Sequence, residues 1–498
     1  MTGAGAPTPP LELAGDPGDV ASRLGAEVVV DDAVVARLGG VCAAVDTTPA
    51  ALVEAGRDWW PVTVGWGLGG QVPALPAAVA RPRSALEVAG VLAVCADAGV
   101  PVTPAAGRSG VCGGAVPVFG GVALDLTGLA GIVAVDERSL TADVAAGTFG
   151  GDLEAELGGR WSLTLGHWPQ SVDMSTVGGW LACRSAGQYS TRYGKIEDMV
   201  VGLEVALADG TVVRTGGRAP RTATGPDLTA VFVGSEGTLG VITEARLRVR
   251  PRAAVEARAA YAFASFDAGL DACRRMLRRG CTPAVLRLYD GTESQRSLGV
   301  ADGCGLVVVD EGDPGLVAAT MAVVAEECRP ARPLGEEPAA RWLEHRNQIP
   351  SLADLYRGGI VADTIEVAAS WSALAAIYHD AVAALTASES TLAASAHQSH
   401  AYPDGACLYF TFAGQPAPGE ADAYYREAWE AVMAATTAHG GAISHHHGVG
   451  LNRGRFMAPS LGGAFAVLVA LKAALDPRGV LNPGKLGLPS PFGSAPWP

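Results

Sequence analysis

Three glycine-dense loops that also carry hydroxyl side chains fall between residues 104 and 240, and few folds give such loops a common purpose. They are Pro104-Ala-Ala-Gly-Arg-Ser-Gly-Val-Cys-Gly-Gly-Ala115, Gly166-His-Trp-Pro-Gln-Ser-Val-Asp-Met-Ser-Thr-Val-Gly-Gly-Trp180 and Gly234-Ser-Glu-Gly-Thr-Leu-Gly240. Glycine removes side chains, so a loop that follows a strand can turn several backbone N–H groups toward one anion such as a pyrophosphate. Read alone, the first loop serves equally as a tight turn between strands. It is not the Rossmann fingerprint, because no helix opens directly from it. Together the three suit a long ligand with a diphosphate in the middle and a flat ring at one end. FAD has that shape.

Residues 78–104 read as a βαβ-like unit. Strand Ala78–Ala80 leads to a helix that starts at Ser84 with capping-box spacing to Glu87. Leu86, Val88, Val91, Leu92 and Cys95 form its apolar face, Gly99 stops it, and Val100–Thr103 is the next strand. Residues 121–147 alternate as strands. Gly150–Leu157 is a short helix, and another begins near Ser175. Strands Val200–Ala208 and Val212–Thr215 flank an Asp209-Gly210 turn. Val241–Val249 closes the region, and Pro251 marks a boundary. Beyond it, strands alternate with long helices at Asp267–Arg279, Pro314–Cys328, Trp371–Leu385 and Glu420–His439, which implies a sheet covered by helices. From Gly450 a single helix precedes a Pro/Gly-rich tail.

Composition narrows the function classes. A chain of 498 residues with 49% apolar content fills two or three cores. Its net charge of -15 and the lack of any basic run argue against nucleic acid as a partner. An anionic substrate would be held by a few local arginines. The nine cysteines form no CxxC pair and read as reduced thiols of a cytoplasmic protein. Residues 1–24, rich in Gly, Pro and Ala, read as a loose leader without a secretory pattern. No apolar run reaches the roughly 18 residues of a membrane span. Membrane contact is expected to be transient at most, and a homodimer is left open.

The order of the loops resembles that of flavoproteins with a vanillyl-alcohol-oxidase or PCMH-type FAD domain. Gly166–Gly194, Tyr193-Gly-Lys-Ile-Glu-Asp198, Thr224-Gly-Pro-Asp227 and Gly234-Ser-Glu-Gly-Thr-Leu-Gly-Val-Ile-Thr243 are similar to the alkyldihydroxyacetonephosphate synthase branch. So are Tyr402-Pro-Asp-Gly-Ala-Cys-Leu-Tyr-Phe410 and Ser444-His-His-His-Gly-Val-Gly450. The resemblance spans residues 75–490. It implies an α+β fold of two domains, a PCMH-type FAD-binding domain at 75–251 and an α/β cap of the FAD-linked oxidase C-terminal type at 252–441. A leader and helical segment at 1–74 precede them, and a tail at 442–498 packs back on the FAD domain.

The resemblance implies non-covalent FAD held by Pro104, Ala105, Ala106, Gly107, Arg108, Ser109, Gly110, Gly113 and Gly114. Further contacts are implied at Gln170, Ser171, Ser175, Thr176, Gly178, Gly179, Trp180, Ser185 and Gly187. The same holds for Glu236, Gly237, Gly240, Val241, Ile242 and Asn482. Cys112 alone keeps covalent attachment open. Tyr402, His167, Arg287 and the tract His445, His446, His447 match catalytic positions. On a strand, only His445 and His447 of that tract would share a side. D-2-hydroxy acid dehydrogenases tend to carry Glu-His-Gly where this chain has His446-His447-Gly448. Tyr402 and Tyr409 near His400 leave their metal site incomplete, so no metal is expected. The implied reaction replaces the acyl chain of acyl-dihydroxyacetone phosphate with a fatty alcohol through a flavin N5 adduct; the substrate is thus small or lipid-like. Two positions depart from the pattern. Gln170 stands for an acidic residue, and Ala353 stands for the arginine of a Leu-Arg-Asp run, with Arg357 one helical turn away as its substitute. These departures sustain a second reading, an FAD-linked dehydrogenase of a small 2-hydroxy acid or alcohol.

Overall fold

The computed structural model describes residues 5–24, 28–349 and 351–497. Helix Ala85–Ala98 shows how local sequence sets the frame. Ser84 Oγ accepts the Glu87 N–H at 3.2 Å, and Gly99 ends the helix at a φ of 67°, a conformation glycine adopts without strain. Only half of the capping box forms, because the Glu87 carboxylate accepts from the Arg83 and Ala43 N–H groups instead. The buried side of this helix packs between two sheets.

The first sheet has four strands in the order Ala44–Asp46, Ala78–Arg81, Val122–Asp125 and Val102–Ala105, the last three parallel. The second is antiparallel, in the order Val212–Gly216, Val200–Ala206, Val241–Arg248, Thr141–Ala145 and Ile132–Asp136. The Asp209-Gly210 turn closes as expected, with Asp209 Oδ1 accepting the Thr211 N–H at 2.9 Å.

Beyond Arg252 lies an antiparallel sheet of seven strands. Its order is Arg332–Gly335, Val255–Phe263, Cys304–Gly312, Val285–Tyr289, Thr391–Ala401, Gly405–Gly414 and Val361–Ser370. Helices Phe266–Arg278, Pro314–Glu327, Trp371–Thr386 and Ala421–Ala438 join one core with Leu286, Leu288, Leu306, Val308, Ile365, Val367, Leu408, Phe410 and Phe412. Successive side chains of a strand point to opposite faces. Arg287, Thr364, Glu366, Tyr409 and Thr411 therefore stand on the other face. The packing of the apolar face thus orients a polar one.

Residues 5–24 are not a loose leader. Thr8, Val20 and Leu24 are buried, and the Thr8 N–H donates to Gly107 O at 3.0 Å. Few side chains there favour helix, but the backbone finds partners on the FAD-side sheets and loops. After Gly450 there are two helices, Gly454–Leu461 and Ala464–Leu475, broken at Gly462-Gly463 and bent by 120°. The following segment returns to strand Val102–Ala105, where Val102 N–H donates to Val480 O and Asn482 N–H to Val102 O, both at 2.8 Å. No single helix among the described residues is long and apolar enough to cross a membrane.

Candidate functional site

The three glycine loops, the polar face of the seven-stranded sheet and residues His446 and His447 border one cavity of about 1090 Å³. The first loop lies close against its neighbours. A Cβ on Gly107 would sit 2.1 Å from Met174 O, so no other residue fits there. Arg108, almost fully buried, adopts a φ of 56° and borders the cavity. Its Nε has no partner, and its nearest carboxylate, Asp125, is 3.6 Å from Nη2. A buried cation with an unused donor beside glycine N–H groups fits a phosphate-bearing ligand. The third loop is tied to the histidine tract through Glu236. Its carboxylate accepts the N–H groups of Val449 at 2.5 Å and Gly450 at 2.8 Å.

All the residues expected at the cofactor border this cavity except Gly113, Gly187 and Asn482. Gly113 packs on Trp60 and Leu451, and Gly187 on the backbone at His167 and Trp168. Asn482 braces two loops, donating through Nδ2 to Gly114 O at 3.1 Å and Glu236 O at 2.6 Å. Cys112 is buried and does not border the cavity.

On the sheet side, Arg287 Nη2 lies 2.6 Å from His397 Nε2. Arginine only donates, so His397 Nε2 accepts and its Nδ1 carries the proton toward Glu293 Oε1 at 3.1 Å. Burial, then Arg287, lowers the His397 pKa to about 4. Arg296 Nη2 approaches the same Glu293 oxygen at 3.4 Å. Arg287 borders the cavity, and its Nε is buried without a hydrogen-bond partner.

The histidine tract is not a strand, and its three rings gather together. His445 Nδ1 and His446 Nδ1 are 2.9 Å apart, and the His446 and His447 ring centres are 4.5 Å apart. His445 Nε2 meets Tyr402 Oη at 2.9 Å, and His447 Nε2 meets Tyr409 Oη at 2.8 Å. His400, bonded to Ser190 Oγ at 2.8 Å, lies with its ring centre 5.0 Å from that of His445. Beneath the tract, Glu366 accepts the His447 N–H and the Arg453 guanidinium, each at 2.8 Å. Both charged groups are 0% exposed. Burial lowers His445 and His447 to about 4, against the raising effect of Glu366. Burial also raises the Tyr402 and Tyr409 hydroxyls well above the ordinary phenol range. Cys407, His445 and His446 have ligand atoms within 4.8 Å of one another, but the two Nδ1 atoms are occupied with each other.

Four of the expected catalytic residues stand back from the cavity. Tyr402 and His445 do not border it; His445 meets His446 and stacks on His400, which do. His167 is 0% exposed, 3.2 Å from Ser185 Oγ and stacked on Trp180, with burial lowering it to about 3. It orients cavity residues rather than facing a substrate. Arg357 does not replace the missing cap arginine: it pairs with Glu12 and Asp354, while Ala353 borders the cavity. The residues that sequence reasoning passed over are His397, Glu293, Arg296, Thr364 and Thr411, which border the cavity, and Glu366 and Arg453 behind the tract. Tyr409 and His400, which the sequence marks only as part of an incomplete metal set, border the cavity as well. The signal available was polar residues alternating within apolar strands, as in Leu408-Tyr409-Phe410-Thr411-Phe412.

Residues 76–216 match the FAD binding domain, and residues 252–486 match the C-terminal domain of FAD linked oxidases. An uncharacterized FAD-linked oxidoreductase of Escherichia coli K12, YgcU, is 31% identical over 436 residues, which cover 83% of this chain and 89% of that protein. Alkyldihydroxyacetonephosphate synthase of Trypanosoma brucei brucei is 29% identical over 484 residues, 87% of this chain and 76% of that protein. Among solved structures, an alkyldihydroxyacetonephosphate synthase superposes with a TM-score of 0.78 at 24% identity, over 95% of this chain and 89% of the other. p-Cresol methylhydroxylase gives 0.73 at 19% identity, over 92% and 96%.

Proposed function

This chain belongs to the family of FAD-linked oxidases, an FAD-dependent enzyme family, and we propose that it performs a redox-neutral exchange like that of alkyldihydroxyacetonephosphate synthase. One observation carries this reading. The cavity that meets Arg287, His446 and Tyr409 is also bordered by an uncharged set: Pro9, Pro10, Leu11, Pro61, Val64, Leu352 and Leu355. A substrate with a small anionic head and an apolar chain satisfies both parts.

The glycine loops would hold the FAD, whose ring, when bound, supplies an acceptor for electron density. Arg287, at the border of the cavity, binds the anionic head through its positive charge. A neutral imidazole takes the proton from the carbon beside the carbonyl. His446 Nδ1–H donates to His445 Nδ1, and His445 Nε2–H donates to Tyr402 Oη. These bonds leave Nε2 of His446, a residue that borders the cavity, able to accept the proton. The fatty acid leaves from that carbon, an alcohol oxygen bonds to it, and the proton returns, so no net electrons pass. In the absence of oxygen and of any acceptor, acyl-dihydroxyacetone phosphate and a fatty alcohol are expected to give ether product for many turnovers per flavin. Product limited to one equivalent would overturn the reading.

The second reading, dehydrogenation of a small 2-hydroxy acid or alcohol, is favoured by Ala353 and by the outward pairing of Arg357. One arginine suits a carboxylate at least as well as a phosphate. Reduction of an acceptor dye by a 2-hydroxy acid would support it.

A further inference from the structure

Residues 6–14 cross the first glycine loop as an extended strap. The Ala6 N–H donates to Asp173 O, Thr8 N–H to Gly107 O and Ala14 N–H to Gly67 O, each at 3.0 Å. Thr8 is 2% exposed and is gripped by Arg57, itself 1% exposed. Arg57 Nη1 donates to Thr8 Oγ1 at 2.8 Å, and Nη2 to Thr8 O at 3.2 Å and Glu54 Oε1 at 2.5 Å. Burying a guanidinium is costly unless its donors are used, and both terminal nitrogens of Arg57 are. A segment without a role would not be held by one. Pro9, Pro10, Leu11 and Glu12 border the cavity, and Glu12 pairs with Arg357 of the cap.

The strap also bears on how the loop presents its amides. Within a trans peptide, C=O and the following N–H point in opposite directions. Thr8 N–H takes Gly107 O from the strap side, and Trp59 N–H takes Gly110 O at 2.8 Å. The N–H groups of Arg108 and Val111 are thereby turned away from those partners, and neither has a backbone acceptor among the described residues.

We propose that residues 6–14 are part of the cofactor site. Arg57 anchors a strap that sets the loop's phosphate-facing N–H groups and has to lift before the cofactor leaves. This rests on the reading of the Gly107–Gly114 loop as the diphosphate cradle. Release of FAD from the loaded enzyme is followed by the rise in flavin fluorescence after dilution. Arg57→Met is expected to speed release at least about tenfold, the loss of one charge-assisted hydrogen bond. An unchanged rate in a variant with the wild-type melting profile would overturn the proposal. If Arg57→Met does not fold, hydrogen exchange at the Thr8 amide of the wild-type chain decides. Slower exchange in the FAD-loaded form than in the stripped form supports the strap, and equal exchange sinks it. Gly107→Ala separates the two readings: if it loses FAD while Arg57→Met does not, the cradle stands and the strap falls.

Discussion

The chemistry of single residues turns on buried, neutral imidazoles. His445 and His447 are held near a pKa of about 4 by burial, with Glu366 opposing it. They stay neutral and able to accept a proton throughout the physiological range. His446, the base of the proposed exchange, is likewise lowered well below the ordinary range by burial, so the profile of kcat/KM against pH is expected to fall on the acid side only well below the ordinary imidazole value. A fall centred near the ordinary imidazole value of about 6.5 would mean that water solvates the tract. His446 is the tract residue that joins the relay to the cavity. His446→Gln is expected to lower turnover by about a hundredfold, the scale of a lost acid–base group, with the flavin still bound. Visible absorbance of the purified variant checks the second half of that expectation. Glycine has the opposite role. Gly107→Ala should yield protein without flavin, because the added methyl group would overlap Met174 O.

At the scale of elements, the seven-stranded sheet makes the site by alternation. Leu286 and Leu288 anchor one side of their strand in the helix-covered core, so Arg287 must face the cavity. That much was legible, since the apolar-polar alternation is written in the strand itself. The pairing of Thr391–Ala401 with Val285–Tyr289 was not, because it joins segments about a hundred residues apart that share no local pattern. Their contact creates the Arg287–His397 pair. The histidine tract was misjudged for a related reason: treated as a strand, it should have split its side chains between two faces. Glu366 instead collects the tract's backbone N–H groups and pulls the segment into bends. Arg453→Met would leave the Glu366 charge buried without its cation. A loss of about 3–5 kcal/mol is expected in denaturant unfolding of the flavin-free protein. A loss under about 1 kcal/mol would show that water reaches the pair.

For the whole molecule, the cofactor half was readable because its motifs are contiguous loops, and the substrate half was readable only in part because it is assembled across the chain. Arg357 illustrates the difference. One helical turn from Ala353, it was within reach on paper, yet Glu12 from the other end of the sequence takes its guanidinium. Restoring the cation tests what the cavity accepts: Ala353→Arg is expected to tighten a phosphate-headed ligand about tenfold over its carboxylate analogue. Equal affinities would mean that position 353 does not meet the head group. The most direct measurement of the proposed exchange is the visible spectrum of the bound flavin, without oxygen or acceptor, as substrates are added. Transient bleaching by acyl-dihydroxyacetone phosphate, with recovery and sustained turnover once a fatty alcohol is present, is the expected result. Lasting bleaching by a hydroxy acid or alcohol would mean net two-electron reduction and would contradict a redox-neutral exchange.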